Sequence, residues 1–397
     1  MPNTLNIKNF GPIKDAKLDI KKTTVLIGPQ GSGKSTLAKL LAIYGDKNSF
    51  KNFGLAHYFP FTTYGISDFY ENDKTALYYQ NDCYSIEYKK NLLNLHLNQE
   101  LDDLTKDKKN WITMENFAMG FNDYLAFVKR IPLGQPSNLR TIVGGRMPSI
   151  VETLAMPYAH YIPAERFLIA VISGATWGLM SNNIALPKYV IDFGSLFEIA
   201  RTNISELPVD FLDIHYRYEN GIDKIILKDS KEVKLSVSAS GFQSIIPLSL
   251  VVENNFSKGL TNFIVEEPEL NLFPVTQKHL IQYLADKCNQ NNNELLMTTH
   301  SPYVLSSLNL LVFAYQTAQK HPELINEINA IVPQKSWINP AEFAAYYVDE
   351  GTVRSIINPK TGLIAENELD EVSDMIGDEF DALKRIYISN SYAGINK

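Results

Sequence analysis

The sequence predicts an α/β protein: a parallel sheet buried between helices, with a nucleotide site at the strand ends. Three stretches carry that prediction. "TTVLIGPQGSGKSTLAKLLAIY" (23–44) runs from an apolar segment through a glycine-rich loop into a helical pattern. "NFIVEEPEL" (262–270) is an apolar run ending in two adjacent glutamates, and "ELLMTTHSPYVL" (294–305) is one ending in a histidine. Continuous apolar runs suit strands buried on both faces of a parallel sheet. Ligands of such sheets bind at the carboxyl ends of the strands.

The bulk composition is compatible. The chain has 397 residues, 45% hydrophobic and 20% charged. That is an ordinary soluble composition, enough for one large domain with insertions or for two to three units. The net charge is −7 and no Lys/Arg run has the density of a nucleic-acid arm, so any DNA contact must be local. The longest apolar stretch, "FLIAVISGATWGLM" (167–180), is broken by Gly, Ser and Thr. It falls short of the roughly 20 residues a membrane span needs. The start, "MPNTLNIKNFGPIKDAKLDI", is polar and strand-like, unlike a secretory signal. Cys83 and Cys288 stand without any CxxC, which argues against a disulfide framework, a zinc site or a zinc-hook dimeriser. A cytoplasmic protein without a membrane segment is expected.

Thr23–Ile27 reads as a short buried strand and residues 28–35 fit GxxxxGK[ST]. From Ser35 a helix follows, with Leu37, Leu40, Leu41 and Ile43 apolar. The glycines let the backbone curl so that its N–H groups face phosphate, and the helix adds its positive N-terminal end. Gly28, Pro29, Gln30, Gly31, Ser32, Gly33, Lys34, Ser35 and Thr36 are therefore the candidate nucleotide-binding residues. Lys34 would reach the β- and γ-phosphates, and the Ser35 hydroxyl would ligate Mg²⁺. The expected ligands are ATP or GTP with Mg²⁺.

Phe263, Ile264 and Val265 form the apolar run before the acidic pair. Glu266 would hold the Mg²⁺ shell, directly or through water, and Glu267 would polarise the attacking water. Pro268 ends the strand, and Glu269 is expected to cap or salt-bridge nearby structure. Leu295–Met297 repeats the design. His300 would sit beside the γ-phosphate, and Ser301 and Pro302 would start the next helix.

The order of motifs resembles a known group: phosphate loop, "SASGFQS" (238–244), "FIVEEPELNLFP" (263–274), then "TTHSP" (298–302). It is similar to the ABC-type ATPase heads of the SMC, RecF and OLD group, over residues 1 to about 310. "LNIKNFGPIKDAKLDI" also resembles the first strands of these heads. The resemblance implies an ABC-ATPase head with an antiparallel β subdomain, a helical insertion and a small C-terminal α+β extension. It also implies that the signature of one subunit closes on the ATP of another, a head-to-head dimer. Carried over, Ser240 and Gly241 would contact the partner's γ-phosphate. Ser238 and Ser240 flank Ala239, where the group most often has the signature serine, so which serine serves stays open. Glu266 stands where many ABC proteins have Asp. Asn271 and Phe273 depart from the commoner His-Leu-His-Pro, and no Q-loop glutamine is assigned. "HYIPAERFL" (160–168) resembles the same branch; Glu165 and Arg166 suit either a structural salt bridge or a coupling of nucleotide to partner.

The remaining segments give the domain reading. Residues 1–87 would be the first part of the head, 88–150 a helical lobe, 151–310 the rest of the head and 311–397 an extension. Within the lobe, 90–131 reads as two helices and 132–149 as a loop, with no lasting heptad. Residues 211–237 read as an antiparallel hairpin set around Asn220-Gly221. "YYVDEGTVRSI" (346–356) superficially resembles the first Toprim strand, yet no Asp-x-Asp follows, so a hairpin is expected and no built-in nuclease. Residues 366–387 are expected to form a closing amphipathic helix or pair.

Short, coil-free ATPases of this branch resemble the AriA-like and PtuA-like subunits of the PARIS and Septu anti-phage systems. That resemblance implies an ATPase that assembles, senses a phage trigger protein and governs a separate effector such as a Toprim or HNH nuclease. The alternative is a RecF-like DNA repair or recombination clamp; whether DNA is bound stays open.

Overall fold

The computed structural model describes residues 3–46, 59–71, 74–81, 84–89, 92–97, 158–172, 186–291, 293–365 and 377–385. Strands β1 (Asn3–Phe10), β2 (Ile13–Ile20) and β3 (Thr23–Ile27) lead into helix α1 (Lys34–Tyr44). Helix α2 (Phe59–Thr63) and strands β4 (Ala76–Gln80), β5 (Tyr84–Lys89), β6 (Leu92–Leu97) and β7 (Tyr158–Ile162) follow. Then come α3 (Phe167–Ile172), α4 (Lys188–Asn203), β8 (Glu206–Val209), β9 (Ile214–Glu219), β10 (Ile222–Ile226) and β11 (Glu232–Lys234). Helix α5 (Ser240–Asn255), β12 (Thr261–Glu266), α6 (Pro274–Asn289), β13 (Glu294–Thr299) and α7 (Pro302–Lys320) build the centre. Helix α8 (Ile325–Ile331), β14 (Phe343–Asp349) and β15 (Thr352–Ser355) complete it.

The main sheet has the order β6-β5-β4-β1-β2-β15-β14-β3-β13-β12-β7. Its five strands from β14 to β7 are parallel, with Val265 beside Met297, Met297 beside Val25 and Val25 beside Ala345. On the other side β2, β1, β4, β5 and β6 form an antiparallel wing. The apolar runs are fully buried because both faces are covered. Leu26, Ile264 and Leu296 point to the side of α1. Val25, Phe263, Val265, Leu295 and Met297 point to the side of α4, α5, α6 and α7. Period-two alternation thus feeds two cores from each strand.

A second sheet, β11-β10-β9-β8, is antiparallel and leads into α5. Its β9–β10 turn has Asn220 at φ 51° and Gly221 at φ 77°, the conformation an Asn-Gly hairpin requires. The sheet is anchored by a buried network. Arg201 Nη1 donates to Asp223 Oδ2 at 2.7 Å, and the Tyr216 hydroxyl donates to Asp223 Oδ1 at 2.5 Å.

Two expectations change. Residues 92–97, read as part of a helix, are strand β6, paired along its length with β5 from Lys89–Leu92 to Tyr84–Leu97. The spacing of "LLNLHL" serves either element, and pairing with an existing edge decided it. The boundary at 87/88 therefore cuts β5, and the rest of the expected helical lobe lies outside the described residues. The hairpin expected within 344–364 is present as β14–β15, but it is built into the middle of the main sheet, with β14 parallel to β3. The boundary at 310 runs through α7. Residues 377–385 are helical and wholly exposed, Phe380 and Leu383 included; 366–376 and 386–387 lie outside the described residues. Among the described residues no helix is long and apolar enough to cross a membrane.

Candidate functional site

The loop after β3 turns through Gly28, Gly31 and Gly33, all at positive φ. A Cβ on Gly28 would collide with the carbonyl oxygen of Val348 in β14, and one on Gly33 with Ile13 of β2. Glycine is needed here for close approach as well as for conformation. Helix α1 begins at Lys34 with no side-chain cap and no acidic residue in its first turn. Its first N–H groups therefore offer an anion site that no capping side chain occupies. Lys34 is buried and folds back, donating from Nζ to the carbonyls of Gly28 and Pro29 at 2.8 Å each. Burial pushes its pKa down to about 8, against the pull of Glu267, Glu269 and Glu266. The Ser32 hydroxyl is buried with no partner.

The three glutamates at the end of β12 sit in three different environments. Glu266, the last residue of the strand, is 5% exposed. Burial raises its pKa, opposed by a hydrogen bond from the Ser35 hydroxyl and the charge of Lys39. Its Oε1 is buried without a partner. The Tyr161 hydroxyl lies beside the same carboxylate, without a hydrogen bond of ordinary geometry. Glu267 has φ 42°, a conformation rare for a side chain of this size, held by its N–H donating to Thr298 O at 2.9 Å. Its Oε1 lies 3.3 Å from His300 Nε2, and that hydrogen bond holds its pKa below the usual glutamate value. Glu269 is half-buried and ties the two strand ends together. Its Oε1 accepts from Thr299 Oγ1 at 2.6 Å and from the His300 N–H at 2.8 Å.

Arg166 lies behind this acidic turn and is fully buried. Nη1 donates to Glu266 O at 2.7 Å and Pro163 O at 3.2 Å; Nη2 donates to Glu267 O at 2.8 Å and Pro268 O at 3.3 Å. Burial pushes its pKa down to about 10, with the neighbouring carboxylates pulling the other way. In place of a structural salt bridge, Arg166 sits in this cage of carbonyls, and the Tyr189 hydroxyl donates to Glu165 at 3.3 Å.

The signature stretch opens α5, which starts at Ser240 with Ala239 as its cap. The Ser238 hydroxyl donates to Leu235 O at 2.8 Å, inside its own turn, while Ser240 is exposed. Gly241 lies against the turn after β12, where a Cβ would meet Asn271 O at 3.1 Å. Helix α5 packs on the opposite face of the sheet from α1.

The loop residues 28–36, Glu266, Glu267 and His300 thus come together at the carboxyl ends of β3, β12 and β13. Ser238, Ser240 and Gly241 lie at the start of α5, whose buried side chains pack on the other face of the sheet. What the sequence did not reveal is the Arg166 cage, the Tyr161 hydroxyl and the approach of Val348. The "HYIPAER" resemblance was the signal for the first. The donor set suits Mg²⁺: one buried carboxylate with an orphan oxygen, next to a serine hydroxyl at an anion-binding loop. Mg²⁺ commonly takes one or two protein ligands and completes its shell with phosphates and water.

Residues 1–131 and 180–305, more than half the chain, match the family model of an AAA ATPase domain. No curated protein matches the sequence. Among solved structures, the SMC head domain from Thermotoga maritima is 13% identical with a TM-score of 0.41, covering 90% of this chain and 98% of that one. The Smc head domain with an extended coiled coil from Pyrococcus furiosus, bound to the C-terminal domain of ScpA, is 11% identical with a TM-score of 0.38. It covers 89% of this chain and 95% of that one.

Proposed function

The chain belongs to the AAA ATPase domain family, and on that premise we propose that it binds ATP with Mg²⁺ and hydrolyses it between two copies of itself. One observation carries this reading: Lys34, Glu266, Glu267 and His300 converge at the ends of three neighbouring parallel strands. Lys34 exchanges its two loop carbonyls for the β- and γ-phosphate oxygens. The Ser35 hydroxyl and Glu266 would hold Mg²⁺, which neutralises charge developing on the phosphates when bound. Glu267 accepts the proton of the attacking water; its depressed pKa keeps it ionised at neutral pH. His300 orients Glu267 and faces the γ-phosphate.

Association of two copies is supported by the placement of the signature. Ser240 is exposed on the face away from its own phosphate loop, so it is available to another molecule's nucleotide. Phe273, Val275 and Tyr303, which start α6 and α7 beyond the acidic and histidine strands, are exposed apolar residues that a second copy would cover. A role as sensor and scaffold for a separate nuclease or toxin in anti-phage defence is supported by the motif order alone.

The test is Glu267→Gln. It should keep ATP binding, lose turnover by about 10²- to 10⁴-fold, and run as a larger species in gel filtration only with ATP. Turnover near the wild-type rate would sink the assignment. Lys34→Ala should lose nucleotide binding. A pull-down with the trapped Glu267→Gln protein tests the effector reading: a stoichiometric protein partner supports it, and DNA alone refutes it.

A further inference from the structure

We infer that Arg166 is a positioning residue for Glu267, holding the carboxylate where it can act on water. The inference rests on Glu267 being the proton acceptor. The geometry is unusual for a buried cation. Arg166 is 0% exposed, yet its four terminal N–H contacts go to backbone carbonyls, three of them on consecutive residues 266, 267 and 268. Those three residues include the one at φ 42°. A left-handed glutamate persists only where its surroundings over-determine it. Two clamps do so: the Thr298 carbonyl from the β13 side and the Arg166 fork from the β7 side. The guanidinium also brings positive charge behind Glu266, Glu267 and Glu269, whose mutual repulsion would otherwise spread the turn.

Lysine could not replace it. The planar fork spans several carbonyls in fixed directions, whereas an ammonium is a point charge with three rotating donors. Releasing the clamp lets the Glu267 backbone relax to φ < 0. The carboxylate then leaves His300 while the phosphate loop on the far side of β13 is untouched. The expected signature is a fall in kcat with ATP affinity retained.

The experiment uses the full chain carrying Arg166→Gln or Arg166→Lys, with thermal melts as a folding check. Misplacement by about 1 Å costs on the order of 100-fold, so kcat should fall by roughly 10- to 100-fold in both variants. The Kd for ATP should stay within about threefold. In the Glu267→Gln background, Arg166→Lys should lower the single-turnover rate no further, because there is no carboxylate left to aim. An unchanged kcat in Arg166→Lys overturns the inference. So does a parallel loss of ATP affinity, or an equal loss in the Glu267→Gln background; each would mark a merely structural arginine. If Arg166→Gln does not fold, Arg166→Lys alone decides. Wild-type turnover by Glu267→Gln would instead overturn the parent reading.

Discussion

Gly351 and Gly221 have nearly the same backbone conformation, φ 80° and 77°, in two hairpin turns. Replacing each by alanine separates backbone strain from crowding. At Gly221 a Cβ would meet nothing within 4 Å, so only the left-handed conformation is penalised, by about 1–2 kcal/mol. At Gly351 the Cβ would lie 2.7 Å from Pro12 O in the β1–β2 turn and 2.9 Å from Lys14 N at the start of β2, both backbone atoms. Ordinary contact begins at 3.4 Å, so the turns must part by about 0.7 Å. They are joined there by the N–H groups of Lys14 and Asp15 donating to Gly351 O at 2.8 and 3.1 Å. Stretching two such bonds adds about 1–3 kcal/mol to the strain. Gly351→Ala should therefore destabilise by about 2–5 kcal/mol, and Gly221→Ala by clearly less. Urea unfolding gives the totals, and hydrogen exchange by mass spectrometry should show faster exchange at Lys14 and Asp15 in Gly351→Ala only. Equal effects of the two substitutions would refute the crowding argument. The site would feel the change, because the same hairpin sets the Val348 carbonyl against Gly28.

Lys34 gives a pH dependence. Its folded pKa of about 8 lies below the ordinary 10.5, so the folded chain binds fewer protons than the unfolded one between those values. Its contribution to stability thus rises with pH across that window, while ATP, which needs the charged form, binds less tightly by up to about tenfold per pH unit above the folded value. Calorimetric titration checks this, and an affinity unchanged one unit above that pKa would refute it. Asp223→Ala strands Arg201 of α4 and Tyr216 of the second sheet. It should destabilise by about 3 kcal/mol, the low end for a broken buried pair because Arg201 keeps Glu198 and the Tyr218 ring. An unmoved urea midpoint would show the network to be dispensable.

Much of the site was legible because its signals are local. The phosphate loop follows from glycines at fixed offsets between a strand and a helix, and the acidic and histidine strands from uninterrupted apolar runs. Both survive any tertiary context that buries them. The helix expected over 92–97 failed for the opposite reason. Its apolar spacing satisfies two periods, and only the neighbouring β5 edge chose between them. The choice between Ser238 and Ser240 was not legible either, since the bond from the Ser238 hydroxyl to Leu235 O arises only in the folded turn before α5. Arg166 was visible as a residue and not as a clamp, since three of its four partners are carbonyls a hundred or more positions away.

The sequence by itself determined the α/β class, the loop that can cradle phosphate and the residue types at the strand ends, because these depend on neighbours a few positions apart. The tertiary structure alone decided that residues 343–355 enter the middle of the sheet, that α5 and α1 cover opposite faces of it, and that a buried guanidinium holds the acidic turn. Those depend on which strand lies beside which, and backbone hydrogen bonds that join distant segments leave no mark in the residues that make them.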